Sequence, residues 1–140
     1  MSGCFRVPPA VEAKAYFCEL RALLLQEWDR LDPLQDEAGA YPDPIVALTE
    51  TGALAGGLAF TRAMAPDGSG SAPWVNAVLI RPEYRRCGLA TRLIGEAQSV
   101  CRARGWDRLY AFTHRPELYS GLGWIWVRDD GGQGVMMRVL

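Results

Sequence analysis

Residues 80 to 91 of this 140-residue chain read Ile-Arg-Pro-Glu-Tyr-Arg-Arg-Cys-Gly-Leu-Ala-Thr, and their chemistry is that of anion binding. A strand-like run ends at Pro82, a basic turn containing Gly88 follows, and apolar residues at helical spacing come next. That order leaves backbone N–H groups at a helix N-terminus without intrahelical acceptors, which favours a phosphate. Arg85 and Arg86 set charge-assisted donors beside them. Gly88 and Ala90 carry little bulk, so a pyrophosphate has close access to the N–H groups of Arg86, Cys87, Gly88, Leu89, Ala90 and Thr91. The Thr91 hydroxyl adds one more donor. Cys87 sits in positive surroundings that favour a thiolate, but no base lies near it in sequence. It is read as a backbone donor, not a nucleophile.

The elements that must position this loop follow from hydrophobic periodicity. Trp74 to Ile80 is apolar on both faces, as a buried central strand requires. Ala90, Leu93, Ile94, Ala97 and Cys101 recur on one helical face, with Arg102 and Arg104 in the last turn and Gly105 placed to cap it. Before the loop, residues 4 to 7 suit a short strand. Pro8 and Pro9 open a helix marked by Phe17, Leu20, Leu24, Trp28 and Leu31, in one piece or two, that stops at Asp32-Pro33. Ile45 to Thr49 and Leu54 to Arg62 form a hairpin across Glu50-Thr51-Gly52. Gly56-Gly57 inside it signals a bulge or a close backbone approach. Met64 to Pro73 reads as a flexible connection. After the loop come a strand from Arg108 to Phe112, a short helix from Pro116 to Ser120, and a hairpin. The hairpin pairs 124 to 128 with 135 to 140 across Asp129-Asp130-Gly131-Gly132.

The segment Arg85-x-x-Gly88-x-Ala90 resembles the acetyl-coenzyme A pyrophosphate loop of the GCN5-related N-acetyltransferases (GNAT). Two flanking features strengthen the resemblance. Ile80-Arg81-Pro82-Glu83-Tyr84-Arg85 matches the run that precedes the family's loop. Leu118-Tyr119-Ser120-Gly121-Leu122-Gly123-Trp124 matches its downstream Tyr and Gly-aromatic signature. The element order β-α-β-β-β-α-β-α-β-β is similar to the family's, and the likeness is best over residues 45 to 128. It implies an α/β (α+β) fold with a central mixed sheet of six to seven strands, splayed between strands 4 and 5. About four helices would flank the sheet, in one domain over residues 1–140. It also implies acetyl transfer from acetyl-coenzyme A to a primary amine by direct attack. The expected binding residues are Val78, Ile80, Arg85, Arg86, Cys87, Gly88, Leu89, Ala90 and Thr91. Val78 and Ile80 would offer main-chain groups to the pantetheine arm, and the N–H of Ile80 or its neighbour would face the thioester oxygen. Tyr119 matches the family's general acid.

The base is where this sequence departs from the family. Many relatives carry a Glu near the position of Asn76, which has no basic side chain. His114, the only histidine, is a candidate beside the expected cleft. Glu50, Asp43 and Glu83 are others, and a water chain serves equally well. The acceptor is expected to be a small-molecule or peptide amine. Trp28, Tyr41, Trp74 and Trp126 are candidates for lining its pocket, and Asp32, Asp36, Glu37 and Asp43 hint at a cationic acceptor. A second reading is a coenzyme A or acetyl-coenzyme A sensor without transfer. The loop reads only the pyrophosphate, so the acyl group is not specified.

Composition bounds these readings. Half the chain is hydrophobic, at 49%, and the formal charge of −1 offers no general attraction to nucleic acid. The cluster Arg81, Arg85, Arg86 and Arg92 stands out against that balance. Cys4, Cys18, Cys87 and Cys101 show no metal-ligand spacing, so no metal is expected, and they suit free thiols in the cytoplasm. No run approaches a membrane span. The resemblance also allows a homodimer.

Overall fold

Strand β2 (Ile45–Thr49) shows how the layers are built. Successive side chains of a strand point to opposite faces. Ile45 and Ala47 join one buried cluster and Val46 and Leu48 another, so β2 is covered on both sides. The structure is a computed structural model that describes residues 5–27 and 42–140. The other strands are β1 (Phe5–Arg6), β3 (Leu54–Met64), β4 (Ser71–Ile80), β5 (Arg108–Thr113), β6 (Ile125–Asp130) and β7 (Gln133–Val139). Among the described residues they form one seven-stranded sheet in the order β1-β2-β3-β4-β5-β7-β6. Only β4 and β5 run parallel, so the sheet is mixed, as expected.

Helices α1 (Ala10–Ala13) and α2 (Phe17–Glu27) lie on one face, joined by a 3-10 turn at Lys14–Tyr16. The N-terminal helix is therefore in two pieces. Its expected continuation through Trp28 and Leu31 to Asp32-Pro33 lies outside the described residues. Leu20 and Leu24 are fully buried beneath α2. The Gly56-Gly57 pair is a close approach: a Cβ at Gly57 would collide with Leu20, and one at Gly56 would stand 2.6 Å from the Leu79 carbonyl oxygen. The β2–β3 ladder also bulges beside the pair, since Ala47 pairs with Gly56 and Leu48 with Leu54, which leaves Ala55 extra. A second bulge lies further along β3, against β4. Ala59 pairs with Ala77 and Phe60 with Val75, which leaves Asn76 as the extra residue of β4.

Helix α3 (Leu89–Ala103) covers the other face with Leu89, Leu93, Ile94, Ala97 and Cys101. The buried stripe starts at Leu89 where periodicity placed Ala90; Ala90 is half-buried at the helix start. The helix ends as expected. Gly105, at φ 87°, donates to the Arg102 carbonyl and Trp106 donates to that of Cys101, which is the Schellman pattern. Helix α4 (Pro116–Ser120) matches its expected bounds.

Two connections are tighter than the sequence suggested. The β3–β4 hairpin extends to the pair Met64↔Ser71, because Ala65 and Gly70 close a short turn with a 2.8 Å bond. The β6–β7 hairpin turns on Gly131 and Gly132 alone, with Asp130 and Gln133 paired. Among the described residues no helix is long and apolar enough to cross a membrane.

Cys101 is completely enclosed, and desolvation pushes its thiol up to about 12. The folded state thus holds this proton more tightly than the unfolded chain, whose thiol titrates near ~8.5. The resulting stability is whole below pH ~8.5 and is lost as the pH climbs toward the folded value, at about 1.4 kcal/mol per pH unit. Urea midpoints of the wild type should fall between about pH 8.5 and 10. Cys101→Ala, weaker at neutral pH, should be nearly flat over that interval. Parallel curves for the two proteins would refute the assignment.

Candidate active site

Strands β4 and β5 meet at a single pair, Trp74↔Tyr110, whose rings stack at 5.2 Å. Beyond it they part. The extra residue Asn76 re-aims β4 on the near side of the gap. The Arg81 N–H bonds the Ala55 carbonyl at 2.9 Å. Antiparallel ladders alternate, so Leu79 and Arg81 address β3, while the main-chain groups of Val78 and Ile80 address the gap. The gap opens into a cleft of about 660 Å³, a size suited to a small-molecule ligand.

The loop after β4 forms one wall. A 3-10 turn at Pro82–Tyr84 leads to Arg85, whose Nε donates to the Ile80 carbonyl at 2.9 Å. Arg86 adopts φ 65°, alone among described non-glycine residues in that region, and Gly88 adopts φ 74°. The first intrahelical bond of α3 runs from the Arg92 N–H to the Gly88 carbonyl, at 3.1 Å. The N–H groups of Leu89, Ala90 and Thr91 therefore have no intrahelical acceptor. The Cys87 Sγ turns back toward the Arg85 carbonyl at 3.6 Å, and Cys87 does not line the cleft.

The four arginines that cluster in sequence do not act together. Arg81 pairs with Glu19 at 2.6 Å and donates to the Leu54 carbonyl. Arg92 donates to the Phe5 carbonyl at 2.7 Å. Arg85 holds the end of β4 yet still lines the cleft. Arg86 lines the cleft and makes no ion pair among the described residues.

The opposite wall comes from β5, α4 and β7. Tyr119 is 4% exposed and packs edge-on against Trp124 at 4.9 Å. Burial pushes its phenol pKa up, so the group keeps its proton through the whole neutral range. His114 stands one residue past β5, exposed at the mouth, with its Nε2 2.6 Å from the Gln133 amide nitrogen. The other candidate bases are elsewhere. Glu50, Asp43 and Glu83 are exposed, and none of them lines the cleft. Asp43 borders a separate hollow beside Pro42 and Pro44. Among the described residues no carboxylate lines the cleft. Of the aromatic candidates, Trp74 is buried at the fork and Trp126 is exposed on β6. Trp28, Tyr41, Asp32, Asp36 and Glu37 lie outside the described residues.

The cleft thus gathers Val78, Ile80, Arg85, Arg86, Gly88, Leu89, Ala90, Thr91, His114 and Tyr119. Sequence reasoning missed Phe112, Thr113, Arg115 and Gln133, which share its walls. Phe112 closes the expected strand, whereas Thr113 lies one residue beyond its expected end. Gln133 carried no signal, because its place depends on the length of the β6–β7 turn.

A family model described as Acetyltransferase (GNAT) family matches residues 13–124. No protein of curated function matches the sequence. Solved structures share the fold at low identity. The PaiA N-acetyltransferase from Thermoplasma acidophilum, in complex with coenzyme A, is 14% identical with a TM-score of 0.69, covering 98% of this chain and 99% of that one. The GNAT family N-acetyltransferase YhbS from Escherichia coli, also with coenzyme A, is 18% identical with a TM-score of 0.64, covering 99% and 82%. Naa50 of Arabidopsis thaliana, in complex with the bisubstrate analogue CoA-Ac-MVNAL, is 12% identical with a TM-score of 0.62 and full coverage of both chains.

Gly88 isolates one property of the loop. A Cβ added there meets no atom within 4 Å, so a side chain fits and only the left-handed backbone resists it. Gly88→Ala should lower stability by about 1–2 kcal/mol in urea unfolding. An unchanged midpoint would mean that the turn relaxes out of the left-handed region at little cost.

Proposed function

The chain belongs to the acetyltransferase (GNAT) family, and on that premise we propose that it moves an acetyl group from acetyl-coenzyme A to a primary amine. The amine attacks directly with both substrates bound, and Tyr119 serves as general acid. The observation that carries the reading is the cleft at the fork. One cavity is lined by the start of a helix with unpaired N–H groups, an unpaired strand edge, a buried phenol and a histidine.

Acetyl-coenzyme A supplies the acetyl group as an activated thioester. The fit of the chain to it rests on the free N–H groups of Leu89, Ala90 and Thr91, on Gly88 with open space beyond its Cα, and on the uncommitted charge of Arg86. These groups would hold the pyrophosphate. Val78 and Ile80 would hold the pantetheine arm through the main chain. The Ile80 carbonyl is already bonded to Arg85, so Ile80 contributes its N–H, which suits an oxygen that gains charge as the amine attacks. Tyr119 gives its proton to the departing sulfur. The amine's proton goes to His114, directly or through water, since histidine is the residue type that titrates near neutrality and no carboxylate among the described residues shares the cleft. The acceptor is a small-molecule or peptide amine.

Calorimetric titration with acetyl-coenzyme A, followed by thiol release over a panel of amines, tests the reading. Gly88→Glu should abolish binding, through charge and bulk against the phosphates. Tyr119→Phe should bind nearly as well and turn over about 10²-fold more slowly. Full activity of Tyr119→Phe over the whole pH range would remove the acid role. Tight binding without turnover on any amine would favour a sensor over an enzyme.

A further inference from the structure

Gln133 and His114 are brought together by backbone geometry. Gly131 and Gly132 adopt φ 60° and 85°, the type I′ signature of a two-residue hairpin loop, and Asp130 pairs with Gln133 across it. The last β5–β7 pair is Thr113↔Gly134. The next residues along, His114 and Gln133, therefore stand opposite each other just beyond the ladder. Both line the cleft, and their side chains meet at 2.6 Å.

The contact joins two nitrogens. A carboxamide nitrogen only donates, so here Nε2 of His114 is the bare acceptor and the ring proton sits on Nδ1. A half-turn of the carboxamide puts Oε1 in the same place. Nε2 must then carry the proton, and Nδ1 becomes the bare nitrogen. Imidazolium, with N–H on both nitrogens, tolerates only that second orientation. The end of the amide that faces the ring thus selects which nitrogen can accept a proton.

We propose that Gln133 is a positioning residue that sets the tautomer of His114 and, through it, the pH range over which the site accepts the amine's proton. This rests on the base role proposed above for His114. In the step itself the carboxamide turns Oε1 to the ring and the ring proton sits on Nε2, so that as an N–H bond of the ammonium breaks a new N–H forms at the bare Nδ1, and the electron pair left on the amine is the one that attacks. The charged and titratable groups that share the cleft with the ring are Arg115, paired with Glu117 in the β5–α4 connection, Tyr119 of α4, and Tyr84, Arg85 and Arg86 from the loop. Among the described residues the cleft walls hold three arginines and no carboxylate, so the carboxamide is the neutral group that can stabilise either state of the ring.

His114 is the only histidine of the chain, so its ring nitrogens give an unambiguous NMR titration. At high pH the wild type should carry its proton on Nδ1. Gln133→Leu should lose that preference. Gln133→Glu, which only accepts, should move the proton to Nε2 and raise the titration midpoint by about one pH unit or more. The acid limb of kcat/KM should rise with it, while the KM for acetyl-coenzyme A stays constant. Identical tautomers and midpoints in all three proteins would overturn the inference, even if His114→Ala is slow and the base role stands. Spectra that shift as stated, beside a His114→Ala that turns over like the wild type, would uphold tautomer control and remove the base role.

Discussion

The site depends on two parallel strands that are neighbours in the sheet yet joined at one pair. A sheet interior normally pairs every backbone N–H and carbonyl, and an unpaired buried group costs about 1–3 kcal/mol. At the fork that rule is broken on purpose-built terms. Trp74 and Tyr110 close the vertex with stacked rings. Asn76 turns β4 by adding a residue that β3 does not match. The Ile80 carbonyl receives the Arg85 guanidinium, so one of the exposed acceptors is satisfied within the chain. The remaining edge faces a cleft, where solvent or a ligand can satisfy it. The polar backbone of the fork is thus open to the cleft because the sheet is incomplete there.

Helix α3 links that surface to the core. Its C-terminal half is locked by Cys101 in the interior and by the Schellman turn at Gly105 and Trp106. Its N-terminal turn stands free at the cleft. Leu89 does both, with a side chain buried in the core and an N–H in the unpaired first turn. Arg92, one turn further on, ties the helix to the carbonyl of Phe5 in β1. The N-terminal end of the helix therefore cannot move without disturbing the packing against β2, β3 and β4, which makes it rigid. The left-handed Arg86 is the exception, a strained residue held by the turn around it.

Much of this is legible in the sequence alone, for reasons particular to each element. The stripe on α3 has one period over fifteen residues, so its face and its cap can be read from spacing. The loop and Tyr119 are legible as short motifs whose chemistry is local. The sheet order is not, because β7 inserts between β5 and β6, and strand sequences carry no label for their neighbours. The basic cluster misleads for a related reason. Spacing puts four arginines together, but three of them are engaged with carbonyls or Glu19, two of these from distant parts of the chain. The shortened hairpins are hidden by their own turn chemistry, since Gly, Asp and Ser around residues 65 to 70 look the same in a long loop and a tight one.

Tyr119 and His114 sit in opposite solvents, and that contrast decides how a proton can cross the cleft. A phenol that burial makes reluctant to ionise is a weak acid against a thiol in water. The same dry surroundings, however, raise the proton affinity of any thiolate that forms beside it. What governs the transfer is the difference between the two, and desolvation acts on both in the same direction. A buried acid is therefore suited to a leaving group that is equally buried. The amine has the opposite need, because its proton must finally reach bulk water. His114 is exposed at the mouth, where exchange with solvent is direct. On the proposed reading the cleft keeps a dry end for the sulfur at Tyr119 and a wet end for the amine at His114, both on the wall that β5 and α4 build.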